Sequence, residues 1–132
     1  MQPKLEKALE RLIEAVRPDA TVLAVVVFGS TARGEDTERS DLDVCVILMP
    51  ERLIQGPGKV SERRVDYLTL FDLDIQIFQQ LPLYVRVRVL KDGHVMFTRD
   101  EDMLYQLALR TIQEFEDFKP VYHEYLEHVA NG

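Results

Sequence analysis

A mixed fold is what the sequence predicts: α/β in the broad sense (α+β), with a small mixed β-sheet flanked by helices. Three observations predict it. The chain opens on an amphipathic helical pattern, continues with a short Val-rich apolar run too brief for a helix, and then interleaves helical and strand-like segments up to a long helical pattern from Glu101. The 132 residues suit one domain, 1–132, with no room for a second core of similar size.

Pro3 to Arg17 carries Leu5, Leu9, Leu12 and Val16 at helical spacing, with Pro3 suited to a first turn and Pro18 closing the segment. Thr21 to Phe28 is continuously apolar, as a strand buried on both faces should be, and runs into Gly29-Ser30. Ser30 to Ser40 is polar and has room for one helical turn and a loop. A second strand is predicted at Leu42 to Met49, stopped by Pro50. Gln55-Gly56-Pro57-Gly58 reads as a loop, and Ser61 to Phe71 as a short helix capped by Ser61. The third strand, Leu73 to Phe78, alternates Asp74 and Gln76 with Ile75 and Ile77.

Tyr84 to Leu90 fits two periods. Val85, Val87 and Val89 alternate with Arg86 and Arg88 as in a strand, whereas Pro82 followed by Leu83, Val87 and Leu90 fits a helix, the reading preferred here. Lys91-Asp92-Gly93 is a predicted turn and His94 to Thr98 a final strand. From Glu101 a helical pattern runs through Leu104, Leu107, Thr111, Phe115, Phe118, Tyr122, Leu126 and Val129, with Pro120 expected to kink or split it.

Sixteen basic against 23 acidic residues give a net charge of −7 and no long basic cluster, which disfavours bulk nucleic-acid binding. The longest unbroken apolar run, Val22 to Phe28, is far short of the ~20 residues of a membrane-spanning helix. The charged amino terminus does not resemble a signal peptide, and a cytoplasmic protein is expected. A single cysteine, Cys45, cannot form an internal disulfide.

The chemistry concentrates in Phe28-Gly29-Ser30-Thr31-Ala32-Arg33-Gly34 and, a few residues on, Asp41-Leu42-Asp43. Residues two apart on a strand share a face, so Asp41 and Asp43 present carboxylates to one side, roughly 7 Å apart at the backbone. Carboxylates so placed repel each other and suit a hard cation such as magnesium. Gly29 and Ser30, at a strand end expected to lead into a helix, can hold a phosphate through backbone N–H groups and a hydroxyl, and Arg33 adds positive charge. A third carboxylate on a neighbouring strand would complete a two-metal site; Asp74, on the polar face of its strand, is the best candidate, with Asp66 and Asp72 as alternatives. With this chain's composition, Gly-Ser, ten residues and Asp-x-Asp arise by chance in about one such chain in a thousand.

GSTARGEDTERSDLDVCVI resembles the signature of the polymerase-beta-like nucleotidyltransferases, and the chain is similar in particular to the minimal nucleotidyltransferases. LDIQIFQQLPLYVRVRVLKDGHVMF and EFEDFKPVYHEYLEHV continue the likeness over about the whole chain. The resemblance implies the polymerase-beta-like fold, phosphate contact by Gly29 and Ser30, metal binding by Asp41 and Asp43, and a metal-binding, base-like role for Asp74. It further implies two magnesium ions, ATP as substrate, and a HEPN ribonuclease toxin as partner, silenced by AMP transfer to a tyrosine. The rival expectation is a binding module that neutralises its toxin by covering it. Transfer to a small molecule is a third, weakened because the chain leaves no domain to wall a substrate pocket.

Other residues are set aside. His123 and His128 are five apart, which misaligns them on a helix, and His94 stands alone. Arg88 and His94 match a HEPN ribonuclease spacing by coincidence, since Gly93 adjoins His94. Phe115, Phe118, Tyr122 and Tyr125 form one helical stripe, expected in the core, with cover for a partner as the alternative. Cys45 should be a buried, inert thiol.

Overall fold

The computed structural model describes residues 3–28, 43–50 and 73–131, with the backbone alone for 120–126 and 131. In chain order these form helix α1 (Pro3–Val16), strands β1 (Val22–Phe28), β2 (Asp43–Leu48) and β3 (Asp74–Ile77), one 3₁₀ turn (Phe78–Gln80), helix α2 (Leu83–Asp92), strand β4 (His94–Thr98) and helix α3 (Glu101–Asn131). The strands make one mixed sheet in the order β3-β2-β1-β4. β1 pairs antiparallel with β2 and β4, and β2 pairs parallel with β3.

Each face of the sheet has its own apolar layer. On one, Ala8, Leu9, Leu12 and Val16 of α1 pack against Val25, Val27, Val44, Val46, Ile75 and Ile77. On the other, Val26, Cys45, Ile47 and Phe78 meet Val89 of α2 and, from α3, Met103, Leu104 and Leu107. The unbroken apolar run of β1 is thus explained: both of its faces are covered. A register shift between Val22 and Ala24 turns Val22 to the α1 side, in step with Val25.

Arg99 ties the two ends of this frame together. Its Nε donates to the Val22 carbonyl at 3.0 Å, and its Nη2 to the carbonyls of Val16 and Arg17, each at 2.8 Å, and of Asp19 at 3.0 Å. Carbonyls at the end of α1, which lack helical partners, are satisfied in this way. Phe97 lies against the guanidinium groups of Arg17 and Arg99, both 5.5 Å from its ring centre.

β3 is held in place beyond its last residue. The Gln79 amide accepts from Leu48 N–H at 3.2 Å and donates to the Leu48 carbonyl at 2.9 Å, so a side chain replaces the strand where the backbone has turned away. α2 confirms the preferred helical reading and takes in Lys91 and Asp92, expected to turn; only Gly93 lies outside it. A Cβ on Gly93 would meet the Val89 carbonyl and come within 2.5 Å of Val26 Cγ1, so the junction needs glycine to sit on β1. Asp100 caps α3 through Met103 N–H at 3.0 Å.

α3 is one 31-residue helix, about 46 Å long. Of the two outcomes expected at Pro120, a split does not occur: a proline removes one backbone donor, and the helix continues on both sides of it. The described part of the aromatic stripe does not lie in the core as expected. Phe115 is half-buried and Phe118 is 45% exposed; the side chains of Tyr122 and Tyr125 fall outside the described residues.

Candidate active site

Register brings two of the expected carboxylates together. Asp43 opens β2, Asp74 opens β3, and the two are direct partners across the parallel pair. Neighbouring strands run about 4.8 Å apart, and register partners of a parallel pair project to the same face. That face is the one away from α1, since the intervening Val44 and Ile75 both belong to the α1 core. Asp43 is half-buried and Asp74 exposed. Phe28, the last residue of β1, lies opposite Asp43 on its other side. The carboxylates therefore stand at one end of the sheet, beside the point where β1 ends.

The alternation of β3 fixes which side chains arrive there. Ile75 and Ile77 are fully buried, so a slip of one residue would drive Asp74 and Gln76 into the α1 core and expose both isoleucines. Gln76, the register partner of Cys45, donates from Nε2 to Asp74 Oδ1 at 3.0 Å. Its place on the face of Asp74 is legible from alternation; the hydrogen bond is not. Cys45 is buried beneath, and burial pushes its thiol up to about 12, which removes it as a nucleophile at neutral pH.

Gly29, Ser30, Arg33 and Asp41 lie outside the described residues, as do the alternatives Asp66 and Asp72 and the expected elements at 30–40 and 61–71. Among the described residues no three His, Cys, Asp or Glu side chains gather to hold a metal. Asp43 and Asp74 are nonetheless a fitting pair of donors for a hard divalent cation: two carboxylates on adjacent strands, one of them open to water. An apolar cavity of about 350 Å³, lined among others by Val26, Val95, Leu104 and Tyr105, takes in neither carboxylate. No helix among the described residues is long and apolar enough to cross a membrane.

An open mixed sheet that pairs carboxylates at the head of two parallel strands defines a class, small α+β folds with an acidic site at the sheet end. The family model for the polymerase beta nucleotidyltransferase domain matches residues 10–102, a span that includes Gly29, Ser30, Asp41, Asp43 and Asp74, and the chain belongs to that family. MJ1547 of Methanocaldococcus jannaschii, provisionally assigned as a protein adenylyltransferase, is 31% identical over 77 residues, 58% of this chain and 56% of that protein. The match thus spans little more than half of the relative's length. Among solved structures, a chain from a toxin–antitoxin crystal with AMP-PNP aligns with a TM-score of 0.69 at 16% identity, over 92% of this chain and 97% of that one. A chain from the complex of tri-AMPylated Shewanella oneidensis HEPN toxin with MNT antitoxin gives 0.66 at 14% identity, over 96% and 98%. At these identities the likeness is one of fold.

Proposed function

We propose that the chain is a magnesium-dependent nucleotidyltransferase that moves AMP from ATP to a tyrosine hydroxyl of a HEPN-family toxin, and so acts as an antitoxin. The observation that carries this reading is the register pairing of Asp43 with Asp74 at the sheet end, in a chain of the polymerase beta nucleotidyltransferase family. The AMP-PNP and tri-AMPylated toxin complexes that share the fold, and the adenylyltransferase assignment of the relative, support the choice of donor and acceptor.

In this reading Asp41, Asp43 and Asp74 hold two magnesium ions, which when bound neutralise the triphosphate and polarise the α-phosphate. Gly29 and Ser30 hold the departing phosphates, and Arg33 adds positive charge there. Asp74 accepts the proton of the tyrosine hydroxyl as its oxygen bonds to the α-phosphorus. The bond from that phosphorus to the bridging oxygen breaks in line, and pyrophosphate leaves.

The test is intact mass spectrometry of the chain and its genetic neighbour after incubation with ATP and magnesium. An adenylyl increment on the neighbour, lost with Asp43→Asn in a folded protein, is expected; a wild-type rate in that variant removes the assignment. A second reading, neutralisation by binding alone, is favoured by Phe118 and Val129, 45% and 60% exposed on α3. Toxin neutralisation undiminished by Asp43→Asn would select it.

A further inference from the structure

Gln76 has no part in the chemistry above, yet its amide is bonded to one of the carboxylates that carry it. Both side chains lie on one face of β3, two residues apart, and Gln76 is half-buried while Asp74 is exposed. The β3 backbone is itself immobilised, by Ile75 and Ile77 in the α1 core and by Gln79 on Leu48. A free aspartate at a strand head turns about its last side-chain bond. Here Nε2 donates to Oδ1 at 3.0 Å, which restrains the carboxylate against the β3 backbone.

We propose that Gln76 is a positioning residue: it holds Asp74 Oδ1 so that the carboxylate meets its ligand in one orientation. This rests on the reading of Asp74 as a working carboxylate of the nucleotidyltransferase site. Groups that orient metal-binding or reacting carboxylates commonly change affinity or rate by about 10- to 100-fold when removed, whereas a surface hydrogen bond with no such task changes neither. Length and donor separate the two cases: Gln76→Met keeps the chain length and loses the donor, and Gln76→Glu replaces the donor by a like charge.

The experiment measures two quantities on wild type, Gln76→Met and Gln76→Glu: Mn2+ affinity by calorimetry without nucleotide, and kcat and KM for ATP in transfer to the toxin. Gln76→Met is expected to lower Mn2+ affinity and kcat, each by about tenfold. KM for ATP should stay within about twofold and the thermal midpoint near that of wild type, and Gln76→Glu should be worse than Gln76→Met in kcat. Full Mn2+ affinity and full kcat in Gln76→Met overturn the proposal while leaving the nucleotidyltransferase reading intact. A wild type that binds Mn2+ without transferring AMP overturns that reading, and the Mn2+ affinity of Gln76→Met then decides for or against Gln76 alone. A wild type that neither binds Mn2+ nor transfers overturns both.

Discussion

Replacing Asp74 by asparagine should make the protein more stable while abolishing its activity. Asp43 and Asp74 start from register partners on neighbouring strands, whose backbones run about 5 Å apart. Two like unit charges at that distance repel by about 0.8 kcal/mol in bulk water and about 3 kcal/mol at an effective dielectric of 20. Asp74 is exposed, which puts the pair near the lower figure, about 1 kcal/mol, or roughly 3 °C in the midpoint of a chain this size. Asparagine keeps an Oδ1 to accept from Gln76, so the comparison isolates the charge. Magnesium should act the other way: at 10 mM, with a dissociation constant of about 1 mM, it would stabilise the wild type by about 1.4 kcal/mol and Asp74→Asn by much less. Thermal melts of both proteins, with and without magnesium at matched ionic strength, measure all four values. An Asp74→Asn midpoint below that of wild type in the absence of magnesium, or an equal rise of both with it, would refute the reasoning.

Two further outcomes follow from the frame. Arg99→Met should cost about 1–2 kcal/mol, since the half-buried Val22 carbonyl loses a charged donor, the Val16 carbonyl keeps only Asp19 N–H, and the others regain water; urea unfolding measures it, and the proposed AMP transfer below the midpoint should persist, because Arg99 grips the end of β1 remote from Phe28. Cys45 should resist thiol reagents at pH 8 in the native protein and react only on unfolding. Because its folded value lies above the unfolded one, its contribution to stability is complete below about pH 9 and is lost as pH rises toward about 12, a loss that Cys45→Ala should not share.

Much of this architecture is legible in the sequence because burial leaves a period. α1 shows in Leu9, Leu12 and Val16, β1 in its unbroken apolar run, and the working face of β3 in the alternation of Asp74 and Gln76 with two isoleucines. Alternation says which side chains share a face and nothing about which strand lies beside it. That Asp74 stands next to Asp43 is a matter of pairing between segments far apart in the chain, and a single sequence does not encode it in any local pattern. Two periods competed in α2, whose valines favour strand on propensity. Val87 and Val89 are both buried there, so packing against the sheet decides the outcome. Farther along α3 the stripe misleads: its apolar period is helical, yet Phe118 is 45% exposed.

The clamp of Gln79 on Leu48 has a consequence for how the gene can change. Register in β3 is set within six residues, by the burial of Ile75 and Ile77 and by this one amide. One codon gained or lost between Asp74 and Gln79 therefore puts either the carboxylate or the clamp out of phase. Length is thus fixed over the stretch that joins the working carboxylate to its anchor.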